Sequence, residues 1–276
     1  MNPHQTYKTS VVELFAVLWR NRQLILQLTR REVVGRYRGS FLGLAWSFFN
    51  PLFMLFVYTF VFTVAFKAHW GGSADTSGLH FAFMLFAGLI VFGLFAECIG
   101  RAPGLVLANA SYVRKVVFPL EVLPWVALGS ALFHTLISMS VLLIAQLVFR
   151  QHVPWTCLCL PIVWLPLILG TMGCVWFLAS LGVFVRDVGQ LVGVFIMALM
   201  FLSPIFYPLT VLPEKVRFWM GLNPLAFLIE QSRAVLVEGL APDWCGWLVA
   251  LGAGLLAAWL GFWWFQKTRR GFADVI

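Results

Sequence analysis

Residues 30–51 read RREVVGRYRGSFLGLAWSFFNP, a basic run that passes without a break into apolar sequence. From Phe41 to Phe66 the chain carries no charge at all. An uncharged run of about 26 residues at 1.5 Å rise makes roughly 39 Å of helix, enough to cross a hydrocarbon core of about 30 Å. Arg30, Arg31, Arg36 and Arg38 lie on its leading side, so the positive-inside rule puts the amino terminus in the cytoplasm.

The rest of the composition agrees with a membrane protein. Hydrophobic residues make up 61% of the 276, charged residues 11%, and the mean hydropathy is +0.90. A water-soluble domain of this length would have too little polar surface to cover itself, so the chain falls in the polytopic membrane class. The net charge of +8 does not point to nucleic acid, because the basic residues sit between apolar spans and at both termini. Anionic headgroups and cytoplasmic partners account for them there. Charged sequence through Arg38 precedes an apolar stretch too long for an h-region, so no signal peptide is expected. The five cysteines, Cys157 and Cys159 included, show no disulfide or metal spacing and read as small apolar filler.

Six spans can be read: Phe41–Phe66, Phe81–Ile99, Leu120–Phe149, Leu158–Val185, Val188–Val211 and Trp244–Phe265. An even number puts both termini on one side. Fourteen Lys and Arg residues then fall inside and five outside, the five being Lys67, Arg150, Lys215, Arg217 and Arg233. That asymmetry has the direction the rule requires. Before the first span, Val11, Val12, Leu14, Phe15, Leu18 and Trp19 recur at helical spacing. They suggest an amphipathic helix in the inner interface, or a helix packed on the bundle. Between the last two spans, Asn223-Pro224 starts a helix and Gly239 is placed to end it. Glu230, Arg233 and Glu238 interrupt it too often for a lipid-facing span, so a short external or re-entrant helix pair is expected. In the last span, Gly254, Ala257, Ala258 and Gly261 permit close helix approach, within one protomer or between two. The fold expected is therefore an all-α integral membrane protein forming one transmembrane domain over 1–276. Residues 1–38 form the interface helix and basic segment, 41–265 the six-helix bundle, and 266–276 a cytoplasmic tail.

No catalytic constellation assembles. The histidines are dispersed, and His134 reads as a polar group bonded to a neighbouring helix. Glu97 and Glu121 lie near the predicted inner interface, where snorkelling or pairing with Arg101 or Lys115 explains them. None of the five lysines sits in a GxxxxGK[ST] loop, so ATP-driven work would need a nucleotide-binding partner. The 13 Trp and 27 Phe form mostly a lipid-facing belt and core packing. A minority suits a path in which flat rings stack on sugar faces.

Three blocks carry a resemblance: RYRGSFLGLAWSFFNPL from Arg36, SYVRKVVFPLEVLP from Ser111, and a third that begins RDVGQL at Arg186. The third continues through FLSPIFYP at Phe201–Pro208 and closes with LNPLAFLIEQSRAVL at Leu222–Leu236. In this order the chain resembles the permease subunits of type-2 ATP-binding-cassette exporters for O-antigen, capsule and teichoic acid. The resemblance implies a homodimer in a bacterial inner membrane, each protomer docking a separate ATPase subunit that binds ATP and Mg. It implies no cofactor on this chain. It assigns ATPase coupling to Tyr112, Arg114 and Lys115, with Arg186 and Asp187 as a smaller contact. The polymer channel would run along the first and fifth spans, where Trp46, Phe49, Asn50, Phe201, Ser203 and Tyr207 are the candidates. Asn223, Glu230 and Arg233 would belong to an external gate within Pro213–Gly239. Two further readings concern the residues themselves. Pro51 and Pro204 can break spans where backbone groups are freed toward a cavity. Arg36 and Arg38 suit the diphosphate headgroup of a lipid-linked substrate, although lipid anchoring explains them equally well. An exporter of a small lipophilic drug, a secondary transporter or channel, and a membrane-embedded transferase are the competing classes.

Overall fold

The computed structural model describes residues 9–65, 78–113 and 118–275. All regular structure among them is helical. Two helices precede the bundle, α1 (Val11–Arg20) and α2 (Arg22–Tyr37), followed by α3 (Trp46–Phe60) and α4 (Gly78–Arg101). The short α5 (Ala110–Val113) leads to α6 (Leu123–Arg150), the single turn α7 (Leu160–Val163) and α8 (Leu165–Phe184). After α9 (Val188–Leu202) come α10 (Glu214–Gly221), α11 (Pro224–Arg233), α12 (Trp244–Thr268) and the terminal turn α13 (Phe272–Val275).

Among the described residues, five helical stretches are long and apolar enough to cross a membrane: Gly43–Phe60, Gly78–Gly104, Leu120–Arg150, Trp155–Phe184 and Trp244–Val275. They coincide with five of the six expected spans, and the carboxyl end of the first, Phe66, lies outside the described residues. The remaining expectation, Val188–Val211, is helical only over the 15 residues of α9. That is about 22 Å of helix, short of a hydrocarbon core of about 30 Å. The chain leaves the helix at Ser203, immediately before Pro204. Pro51, by contrast, does not end α3, which runs through it. Its missing N–H withholds a bond from the carbonyl of Ser47, one turn back.

Packing follows from where each helix is apolar. Helix α4 is apolar on every side, and it occupies the centre, in contact with α3, α6, α8, α9 and α11. Helices α8 and α12 make the most intimate pair. A Cβ on Gly254 would lie 2.8 Å from the Pro166 carbonyl oxygen, and one on Gly173 or Gly261 would overlap partner backbone at Ala257 or Gly173. The small residues of the last span therefore serve a contact within the protomer. Much of α3 and α9 is left uncovered, with Phe53, Phe56, Leu191, Val194 and Met197 exposed.

Helix α1 is capped by Ser10, whose hydroxyl accepts from the Glu13 N–H at 3.2 Å. Leu14 and Val17 are buried in the core, whereas Val12 and Trp19 are exposed. The indole of Trp259 on α12 donates to the Thr9 carbonyl at 3.0 Å, fixing the start of α1 to the last long helix. Between α2 and α3 the chain turns through Gly39 and Gly43, both at positive φ (87° and 52°), a region side chains disfavour.

Candidate functional site

The largest polar-lined cavity, about 520 Å³, lies where α2, α3, α4 and α6 meet. Trp46, Tyr58, Tyr37 and Phe86 supply aromatic wall, and Ser47, Asn50 and Ser138 supply polar groups. Its charged end is a cluster drawn from three helices. Arg36 of α2 holds Glu97 of α4 at 2.8 Å and His134 of α6 at 2.9 Å (Nη1 to Nδ1). His134 Nδ1 is 3.2 Å from both Glu97 oxygens. Arg101, one turn beyond Glu97, pairs with Glu32 of α2 and keeps its Nη1 3.9 Å from Glu97 Oε1. Glu97 thus sits between two guanidinium groups. Burial pushes the Tyr37 phenol above its ordinary value against the opposing pull of Arg36, so the hydroxyl stays protonated near neutrality.

The cavity gathers Trp46 and Asn50, both expected on the channel, with Arg36, expected at a headgroup. Phe49 is exposed on α3 and Arg38 is exposed at the end of α2, neither among the lining residues. Glu97 and His134 do bond to neighbouring helices, but their convergence with Arg36 is a tertiary fact. Three helices far apart in sequence meet there, and no local pattern announces it.

A second group forms around the broken end of α9. Ser203 is fully buried, and its hydroxyl accepts from Asn223 Nδ2 at 3.0 Å while Asn223 Oδ1 caps α11 through the Leu225 N–H. The Tyr207 hydroxyl donates to the Phe201 carbonyl at 2.7 Å, and the Phe201 and Phe206 rings stack at 5.6 Å. Arg233, 1% exposed, donates to three backbone carbonyls: Met84 at 2.8 Å, Pro204 at 2.5 Å and Ile205 at 2.6 Å. Glu230 lies 3.2 Å from the same guanidinium. Arg233 therefore supplies the donors that the unwound Pro204–Ile205 backbone lacks. Beyond it, Ala234–Glu238 winds as a π-helix, with the carbonyls of Val235, Leu236 and Val237 accepting from Thr156, Gln146 and Arg150.

Of the expected coupling residues, Tyr112 lies at the opposite end, beside α2. Tyr112 accepts from Arg31 at 2.8 Å and stacks on Phe118 at 4.2 Å. Arg114 and Lys115 lie outside the described residues. Arg186 and Asp187 are exposed in the turn between α8 and α9. Glu121, within the block that begins at Ser111, is ion-paired with Arg269 beyond α12 rather than with Arg101, and Lys115 lies outside the described residues.

This end-to-end arrangement can be set against known proteins. The profile of the family described as ABC-2 type transporter matches residues 23–237. The chain belongs to the ABC-2 type transporter family. Among relatives of this ABC-2 chain, the O-antigen export system permease protein RfbA of Myxococcus xanthus is 28% identical over 268 residues, covering 96% of this chain and 100% of that one. The protein of the same name from Klebsiella pneumoniae is 26% identical over 256 residues, 92% of this chain and 95% of its own length. The polysialic acid transport protein KpsM of Escherichia coli is 23% identical over 210 residues, 76% and 79% of the two chains. The ABC-2 match takes in the cavity, the Tyr112 block and the Arg233 group alike.

Proposed function

We propose that this ABC-2 chain is the membrane-spanning subunit of an exporter that moves a lipid-linked, O-antigen-like polysaccharide out of the cytoplasm. The observation that carries the reading is similarity along essentially the whole chain to two O-antigen export permeases. The cavity chemistry supports it. Aromatic faces beside hydroxyl, amide and charged groups suit a sugar, which presents apolar ring faces and polar edges.

In this reading a separate subunit binds ATP and Mg and docks on the end bearing Tyr112, Arg114 and Lys115, with Arg186 and Asp187 alongside. Two copies of the chain face each other through α3 and α9, whose exposed apolar surfaces need either lipid or a partner. Helix α9 with the Ser203–Tyr207 segment acts as the fifth of six spans, so both termini are cytoplasmic in a bacterial inner membrane. Helix α1 lies at the inner interface with Val12 and Trp19 toward lipid. Phe49 and Phe201 border the path together with Trp46, Asn50 and Tyr207, and the buried Ser203 braces its wall through Asn223. Arg36 and Arg38 meet the lipid headgroup, and α10 with α11, carrying Asn223, Glu230 and Arg233, forms the outer gate.

Purification from native membranes followed by an ATP hydrolysis assay tests the proposal. A stoichiometric ATPase is expected, and reversing the charges of Arg114 and Lys115 should release it and abolish export. A clean preparation without ATPase would instead indicate a secondary transporter or channel.

A further inference from the structure

The charged cluster in the cavity contains an imbalance. Arg101 Nη1 is buried with no hydrogen-bond partner among the described residues, although its Nη2 is paired with Glu32. A buried guanidinium N–H without an acceptor is costly, so its setting needs a reason. The nearest acidic atom is Glu97 Oε1 at 3.9 Å, the same oxygen that Arg36 holds at 2.8 Å. A shift of about 1 Å would bring that oxygen within normal bonding distance of Arg101. Glu97 therefore has two cationic hosts and occupies one of them.

The two hosts differ in reach. The side chain of Arg36 is 43% exposed and lines the open cavity, whereas Arg101 is 30% exposed and already engaged by Glu32. We propose that Glu97 is an internal stand-in for an anionic ligand of Arg36. When a lipid phosphate headgroup reaches the cavity, it takes Arg36, and Glu97 passes to the vacant donor of Arg101 while keeping His134. A phosphate offers more charge and more acceptor oxygens than a carboxylate, so it wins Arg36 in a charge-assisted bond. The exchange leaves no charge stranded, because Arg101 accepts Glu97 as Arg36 departs. The inference rests on the reading of Arg36 as a headgroup residue, and it adds Glu97 and Arg101 as the pair that sets its availability. The same phosphate chemistry is carried by a polyisoprenyl diphosphate substrate and by a membrane phospholipid.

Binding of farnesyl diphosphate, with farnesol as the uncharged control, is measured to the purified protein in phosphatidylcholine nanodiscs. Arg36→Gln is expected to erase the preference for the diphosphate. Glu97→Gln, which keeps size and shape, is expected to tighten the diphosphate about fivefold, because Arg36 is no longer partly occupied. Arg101→Gln should weaken binding in the native background and have no effect beside Glu97→Gln, since its role runs through Glu97. Glu32→Gln, which leaves Arg101 freer to take Glu97, should tighten binding, whereas a folding defect would weaken it, and so separates the two. Adding phosphatidylglycerol identifies the source: competition marks a phospholipid site, and indifference marks a diphosphate site. Unchanged or weaker binding by Glu97→Gln, with Arg36→Gln still defective, overturns the exchange and leaves the headgroup reading standing. No effect of Arg36→Gln overturns both.

Discussion

Arg233 shows how much one side chain can hold. Its guanidinium is buried, yet each nitrogen has a backbone carbonyl to meet, on α4 and on the unwound turn after α9. Arginine alone offers this fork of fixed donors. Arg233→Met keeps the stem but leaves the carbonyls of Met84, Pro204 and Ile205 without that donor. At about 1–3 kcal/mol for each buried acceptor left unsatisfied, and without simple additivity, a loss of about 3–5 kcal/mol is expected. Thermal unfolding in detergent measures it; a shift indistinguishable from zero would mean the guanidinium is dispensable. Gly88 belongs to the same arrangement, since a Cβ there would stand 2.8 Å from Arg233 Nη2. The sequence shows Arg233 as a charge that interrupts an apolar face. Its partners at Met84 and Pro204 are 149 and 29 residues away, so their identity cannot be read from the chain.

Among the elements, spans with a long uncharged apolar run are legible because the bilayer demands a length that composition reveals. Gly78–Arg101 and Leu123–Arg150 fall close to their expected limits for that reason. Val188–Val211 misleads for the same reason: it stays apolar past Leu202, while the backbone leaves the helix at Ser203 ahead of Pro204. Hydropathy cannot see a change of backbone path within apolar sequence. The α8–α12 seam is an intermediate case. Its glycines are visible, but their partner helix is not. Gly261 faces the backbone of Gly173, and Gly173 faces that of Ala257, so alanine at either position must push the helices apart. Each single variant is expected to lower stability by about 1–3 kcal/mol, the cost of overpacking a close contact. Because both glycines share one contact, the double variant should cost less than the two singles added. A thermal-shift series over the four proteins checks this, and strict additivity would show that the two sites do not share a seam.

At the scale of the whole molecule, the described residues show polar contacts between distant segments gathered into two groups, one toward each end of the bundle. At one end, Gln146, Thr156 and Arg150 hold the π-helical segment. At the other, Arg31 holds Tyr112, Arg101 holds Glu32, and Arg269 holds both Glu121 and the Phe118 carbonyl at 3.1 Å. Trp176 Nε1 also donates to the Glu121 carbonyl, at 3.5 Å. The segment that reaches from the proposed ATPase contact into α6 is thereby tied to the tail that follows α12. Neither Glu121 nor Arg269 is more than 8% exposed as a side chain, so the pair has left water at a large desolvation cost. Stability alone is a weak reason to keep such a pair, since apolar residues can replace one without loss. Transmission of motion between α6 and α12 is a better one. Arg269→Gln alone strands the Glu121 charge and is expected to cost about 3–5 kcal/mol. Glu121→Gln combined with Arg269→Gln strands no charge and should recover much of that stability, less the Arg269 bond to the Phe118 carbonyl. The two outcomes diverge in the assembled complex, where ATP hydrolysis and export can be measured together. If the pair transmits motion, the double variant is stable and hydrolyses ATP but exports less polymer per ATP. If it only supports the fold, the double variant exports in the native ratio, because most of its stability has returned.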